Sequence, residues 1–369
     1  VDSFFDEPQG AAKLKHEVLR QHLAVYARTT GSRTPVVLLD GYAGPGQYEE
    51  GSPGSPRLMV DTAKAMQNRD IHCIFVERDR HHWQQLQGLL IELGDEDSEP
   101  LYGRLEERLD EVLVKAAGKS LFVFLDPFGL AIPFAMLCAT LRRRPRYGPR
   151  GVFQPTEVIL NFSISGLNRA AGRLDSQADS PTVAKMHQTR LEELEAFLGG
   201  PWWQTIWQQS STDRVQRILD EYLRRFRTAF PRWKTLTVPV ADSWDGPPSY
   251  YLVLLTEHDL GLWVFANAVS YGAKVLQEHT FADRPRLFPP EVEENWPATI
   301  GRNVLAILAR RGSFRVVDEL RDVYGKTLGR AGQSHVLKAL KDLAATGQIA
   351  GTPTSRQLYK FVVSRPRRS

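Results

Sequence analysis

Val36-Val37-Leu38-Leu39-Asp40-Gly41-Tyr42-Ala43-Gly44-Pro45-Gly46 is the stretch whose reading decides the fold. An unbroken aliphatic run ending in a turn reads as a short strand buried on both faces. The strand delivers an aspartate into closely spaced glycines. Glycine has no Cβ and tolerates positive φ, so the backbone there can turn sharply and approach a ligand. Ser55-Pro56 then opens a helix, with Ser as N-cap and Pro at the first helical position.

The same alternation extends in both directions. Upstream, Lys13 to Tyr26 is helical, with Leu14, Val18, Leu19, Leu23 and Val25 on its apolar side. Downstream, strands are predicted at Ile71–Glu77, near Leu101, at Leu121–Asp126 and at Glu157–Phe162. Helices Arg80–Leu93, Glu106–Ala117 and Pro133–Leu141 separate them. A polar helical insertion, about 163–209, follows, and then the helix Arg214–Phe230. Leu236–Ala241 and Tyr250–Thr256 read as two closing strands. Apolar strands alternating with helices predict a parallel sheet covered on both faces. The order predicts a seven-stranded, mostly parallel, Rossmann-like sheet of the class I methyltransferase layout, rather than a six-stranded NAD fold. Residues 1–282 are expected to form this domain.

Residues 283–297 are proline-rich and aperiodic and read as a linker. Residues 298–369 are expected to form a winged helix-turn-helix domain with a basic tail. Its helices would be Ile300–Arg311, Val317–Tyr324 and Gln333–Thr346, with strands 348–350 and 357–362 as the wing. Charge divides at the same place. Trp296–Ser369 carries 14 Lys+Arg against 4 Asp+Glu, whereas the whole chain is only +4. A basic module joined to an acidic one points to phosphates, with Arg169, Arg330, Lys338, Lys341 and Arg356 as candidate contacts and DNA favoured over RNA.

The chemistry-bearing positions cluster at predicted strand ends. Glu77 closes the second strand, where a carboxylate can accept hydrogen bonds from ribose hydroxyls. Arg78 follows it, and Asp40, Gly41, Tyr42, Ala43, Gly44 and Gly46 form the loop that would hold a cofactor. Asp126-Pro127-Phe128-Gly129 follows the fourth strand. There an Asp can accept from an amine, Pro fixes the turn and an aromatic can stack on a base. Lys15 or His16 could meet a cofactor carboxylate, and a solvated helix face is the equal alternative. Trp202, Trp203 and Trp207 in the insertion suit packing or the cover of a base-binding cleft. Arg142-Arg143-Arg144-Pro145-Arg146 reads as a solvated helix end. No metal motif, Walker loop or serine elbow is present, and the two cysteines, Cys73 and Cys138, read as core. No apolar run reaches the ~20 residues of a membrane span. The acidic start of the chain has no signal-peptide pattern, so a cytoplasmic protein is expected.

Taken together, Asp40-Gly-Tyr-Ala-Gly-Pro-Gly-Gln-Tyr48, Gly54-Ser55-Pro56, Phe75-Val76-Glu77-Arg78-Asp79, Phe124-Leu125-Asp126-Pro127-Phe128-Gly129, Asn161-Phe162-Ser163 with Arg169, and Tyr250-Tyr251-Leu252 resemble the three-Cys-motif partner family over roughly residues 10–280. The resemblance implies a protein partner with a three-cysteine, radical-SAM-like motif. Lys15-His16 and the glycine loop more distantly resemble the ribosomal RNA adenine-N6 methyltransferases. Their Asp-Pro-Pro-Tyr is here Asp126-Pro127-Phe128-Gly129, with the aromatic moved forward and its hydroxyl lost. These resemblances imply an S-adenosylmethionine-dependent methyltransferase-like protein acting on nucleic acid. A DNA-binding or repair-associated subunit that keeps the fold without methyl transfer is the rival expectation.

Overall fold

A computed structural model describes residues 10–48, 50–148, 151–175, 179–209, 212–281 and 295–366. By packing, the chain divides into two units. The first holds Leu23–Ala241 and Pro247–Glu257, and the second holds the stretch up to His22, Asp242–Gly246 and everything from His258 on.

The first unit is a three-layer α/β sandwich around a seven-stranded sheet in the order β3-β2-β1-β4-β5-β7-β6. The strands are β1 (Val36–Asp40), β2 (Ile71–Glu77), β3 (Glu99–Tyr102), β4 (Ser120–Leu125), β5 (Thr156–Ser163), β6 (Lys234–Ala241) and β7 (Pro248–Thr256). Strands β3, β2, β1, β4 and β5 pair in parallel, and β7 runs antiparallel to both β5 and β6. The expected seven-stranded, mostly parallel sheet is therefore present. The strand order reverses between β1 and β4, which places the switch point at the carboxyl ends of these two strands.

The helices are α1 (Gly10–Thr30), α2 (Ser55–Lys64), α3 (Arg80–Glu92), α4 (Leu105–Lys115), α5 (Phe134–Arg142), α6 (Ile164–Ala171), α7 (Pro181–Leu198), α8 (Trp203–Gln208) and α9 (Arg214–Ala229). One face of the sheet buries Val37, Leu39, Val76, Val123, Leu125 and Leu160 against Leu109, Leu137, Leu141 and Tyr222 of α4, α5 and α9. The insertion joins this core. Trp203 and Trp207 are buried, and the Trp207 indole donates to Asp175 Oδ2 at 3.0 Å. Their role is packing, and the base-cleft alternative is set aside for these two residues. In the arginine run, Arg142 and Arg143 are exposed as expected, whereas Arg144 donates to the carbonyls of Ala116 and Lys119 and is half-buried. Helix α2 is capped by Gly54, one residue earlier than expected, with Ser55 and Pro56 inside the first turn.

The second unit contains α10 (Asp259–Phe281), α11 (Trp296–Arg311), β8 (Ser313–Arg315), α12 (Leu320–Tyr324), α13 (Gln333–Ala345) and β9 (Val362–Ser364). Its boundary differs from the division expected at residue 282. Helix α10 belongs with the later helices because Asn267 Oδ1 accepts from the Gln333 amide at 3.1 Å and so caps α13. Most of the expected linker, 283–294, lies outside the described residues, and Trp296 already opens α11. The expected 348–350/357–362 hairpin does not form. Residues 355–360 are a 3-10 turn, and β9 pairs instead with β8, antiparallel, in the register Phe314↔Val363. The Ala350 amide reaches β9, donating to Ser364 O at 2.8 Å. Apolar Ile300, Val304, Val323, Tyr324, Val336, Leu340 and Val363 are buried in this unit. No described helix is long and apolar enough to cross a membrane.

Candidate active site

Strand register assembles the site. Asp40 lies in one row with Phe75 of β2 and Phe124 of β4, and Phe124 is in turn level with Ile159 of β5. Side chains alternate along a strand, so positions two further on point to the same side. Glu77, Asp126 and Asn161 are those positions. Four polar side chains thus stand on one face at the carboxyl ends of four neighbouring parallel strands, at the switch point.

The glycine loop is shaped around this row. Gly44 and Gly46 adopt φ of 63° and 88°, the left-handed region that favours glycine. A Cβ on Gly46 would lie 2.5 Å from Leu89 Cδ2. The Gly41 amide donates to Phe124 O at 2.9 Å and the Ala43 amide to Val76 O at 3.0 Å, so the loop is stitched to β4 and β2. Glu77 fixes its tip. Its Oε2 accepts from the Gly44 amide at 2.8 Å, and its Oε1 from the Asp79 amide at 2.6 Å.

Asp40 is fully buried. Its Oδ1 accepts from the Tyr42 amide at 3.0 Å, while Oδ2 has no hydrogen-bond partner among the described residues. Burial pushes the Asp40 carboxyl up to about 7. The Ser55 hydroxyl and the Tyr42 amide pull it down, and the charges of Asp126 and Glu77 add to the rise. Burial likewise raises the Tyr48 phenol, which feels the charge of Asp126. Tyr48, the last residue of the glycine-loop motif, therefore belongs beside the site.

Asp126 Oδ1 accepts from Asn161 Nδ2 at 2.7 Å. Pro127 is buried, and Phe128 turns outward and is 55% exposed. Arg169 of α6 reaches back to Phe128 O at 3.4 Å. Gly166 lets this loop sit close, because a Cβ there would lie 3.0 Å from Gly129 O. Asp40, Gly41, Tyr42, Ala43, Gly44, Gly46, Glu77, Asp126, Pro127, Phe128, Gly129 and Arg169 are thus all elements of one region of the first unit. Arg78 is exposed just past Glu77, and its charge is felt at Tyr42.

No family model matches the chain, and no curated protein matches it. Among solved structures, it is similar to an O-methyltransferase from Bacillus cereus in complex with SAH, at 12% identity over 64% of this chain and 79% of that one, with a TM-score of 0.33. It is also similar to the O-methyltransferase TomG from Streptomyces achromogenes in complex with SAM, at 12% identity, covering 69% and 91%, with a TM-score of 0.34. A Legionella pneumophila protein of family DUF519 matches at 11% identity, covering 74% and 92%, with a TM-score of 0.38.

The remaining expected site residues are in the second unit. Lys15, buried, and His16 lie on the part of α1 that belongs to that unit. Lys338 and Lys341 are exposed on α13, Lys338 in an i,i+4 pair with Asp342 at 2.9 Å. Arg356 is exposed in the 3-10 turn. Arg330 is committed elsewhere. Its guanidinium lies 4.6 Å from the Trp244 ring centroid and donates to Trp244 O at 3.0 Å, so it braces its own unit. Among the described residues, no group of three His, Cys, Asp or Glu side chains is placed to hold a metal ion.

Proposed function

We propose that this chain is an S-adenosylmethionine-dependent methyltransferase acting on nucleic acid. The observation that carries the reading is the tie between the Gly44 amide and Glu77 at the switch point, beside a buried Asp40 oxygen with no partner among the described residues. The fit is chemical. Glu77 spends one lone pair on each oxygen and keeps acceptor capacity for two ribose hydroxyls. Asp40 Oδ2 is a buried acceptor that an amino group would satisfy. The left-handed glycines leave room for a ligand against the backbone. When bound, S-adenosylmethionine supplies an electrophilic methyl group. Asp126, held by Asn161, would orient a nucleophile toward it, and the exposed Phe128 would stack on the substrate base. Catalysis in this reading is mainly positioning. The second unit's order of helix, strand, two helices and strand, with its basic exposed α13, supports a winged-helix reading and a phosphate-binding role.

Isothermal titration with S-adenosylmethionine and S-adenosylhomocysteine tests this, with Glu77→Ala as the control. Micromolar binding that disappears in the variant supports the cofactor site. Absence of binding to the wild type would leave the second unit's nucleic-acid binding as the function to pursue.

A further inference from the structure

We infer that Asn161 is a second acceptor in the substrate site, and that it selects an amino group on a nucleobase as the methyl acceptor. This inference rests on the proposed function. An amide side chain presents donors at one end and an acceptor at the other. Asn161 is 92% buried, being 8% exposed, and its Nδ2 is held 2.7 Å from Asp126 Oδ1. A carboxylate accepts, so the Asn161 NH2 must face Asp126, and this fixes the carbonyl the other way. That carbonyl, Oδ1, is buried and has no hydrogen-bond partner among the described residues. Buried acceptors are rarely left unmade, at a cost of about 1–3 kcal/mol. The missing partner is a donor brought by a ligand.

Asp126 follows β4 and Asn161 lies level with it in the adjacent parallel strand β5, on the face that also carries Asp40 and Glu77. Two acceptors on neighbouring strands, the Asp126 carboxylate and the Asn161 carbonyl, suit a primary amine, which offers two N–H groups. A ring carbon offers none. In the transfer, the amine lone pair forms the N–C bond to the methyl group. The C–S bonding pair stays on sulfur, which becomes a neutral thioether. The surplus proton on nitrogen leaves through Asp126 to water. Asn161 moves no proton; it positions.

The test uses the full chain, tritiated-methyl S-adenosylmethionine, and bulk genomic DNA and bulk RNA of mixed sequence, digested afterwards to nucleosides. The expected result is label on exocyclic amines. Asn161→Leu should lower transfer about 100-fold while S-adenosylhomocysteine affinity stays unchanged. Asn161→Asp restores an acceptor but sets a second carboxylate beside Asp126, with Asp40 and Tyr48 facing the pair. Transfer should return in part, with its acid limb moved to higher pH. Label on ring carbons or ribose oxygens would overturn the inference. So would no label in a protein that binds S-adenosylhomocysteine, or equal inactivity of both variants at normal affinity. If the wild type fails to bind S-adenosylhomocysteine, the proposed function falls, and this inference with it.

Discussion

Glu77 and Gly44 are 33 residues apart in sequence and joined by one hydrogen bond, the Gly44 amide donating to Oε2 at 2.8 Å. The same carboxylate holds the Asp79 amide at 2.6 Å through its other oxygen. Asp79 in turn caps α3, accepting from the amides of His81 and His82. One side chain at the end of β2 therefore sets both the tip of the glycine loop and the start of the next helix. Loop shape and strand position cannot vary independently here.

Glu77→Gln tests that coupling. The variant replaces one acceptor oxygen with an NH2, which would face an amide donor. It should lower stability by about 1–3 kcal/mol, read as a fall in Tm. S-adenosylhomocysteine affinity should drop at least tenfold, because a ribose acceptor is lost as well. An unchanged Tm would show that the two amides find other partners and that the carboxylate is not the anchor.

Gly46→Ala separates loop shape from loop charge. At φ of 88° an L-residue is strained, and the new methyl would meet Leu89 Cδ2 at 2.5 Å and Leu86 Cδ1 at 3.0 Å. The conformational part alone costs about 1–2 kcal/mol, and the α3 leucines must shift in addition. Melting should fall and cofactor binding should weaken while the Glu77 carboxylate is untouched. Wild-type binding would mean that the loop tolerates displacement and does not hold the ligand by shape.

The sheet was legible because its strands are short apolar runs bounded by turn residues, and Asp40, Glu77 and Asp126 each stand where such a run ends. The role of Asn161 is not legible in sequence, since it depends on being level with Asp126 across a strand pair. Helix α10 escaped notice for a related reason. Leu262, Trp263, Phe265, Ala266, Ala268, Val269 and Ala273 are buried around its circumference, so no amphipathic stripe marks it. Arg330 was expected at a phosphate because sequence reports its charge and not its partner, Trp244. The expected 348–350/357–362 hairpin is replaced by the β8–β9 pair because β8, three residues long, carries too little pattern to be recognised, and Gln357–Phe361 imitates a strand.

Arg330 and Lys341 should behave differently when replaced by alanine. Arg330→Ala removes a guanidinium stacked on Trp244 and should cost about 1 kcal/mol of stability, with a small effect on nucleic-acid affinity. Lys341→Ala leaves the core alone, since the side chain is exposed on α13. It should weaken DNA binding evenly across sequences and lower the salt slope by about 1. Fluorescence anisotropy against salt, with melting curves, distinguishes the two. A Lys341 variant with an unchanged slope would remove α13 from the phosphate contact.

Asp40 gives the site a pH dependence whose sign can be worked out. The ordinary value is 3.8 and burial lifts it to about 7. Between those limits the folded protein holds a proton that the unfolded chain has released, so this group's contribution makes stability fall as pH rises from about 4 to 7. Below pH 4 the contribution is fully present, and above 7 it is gone. Asp40→Asn should flatten that slope in melting experiments. Ligand binding reverses the preference. An amino group against Oδ2 favours the charged carboxylate, so S-adenosylmethionine affinity should rise between pH 6 and 8, with a proton released on binding near pH 7. Titration calorimetry in buffers of different ionisation enthalpy reads that proton directly. Affinity that is flat across the range, with no buffer dependence, would show that no cation meets Asp40. The unpartnered oxygen would then be a cost the fold carries for another reason.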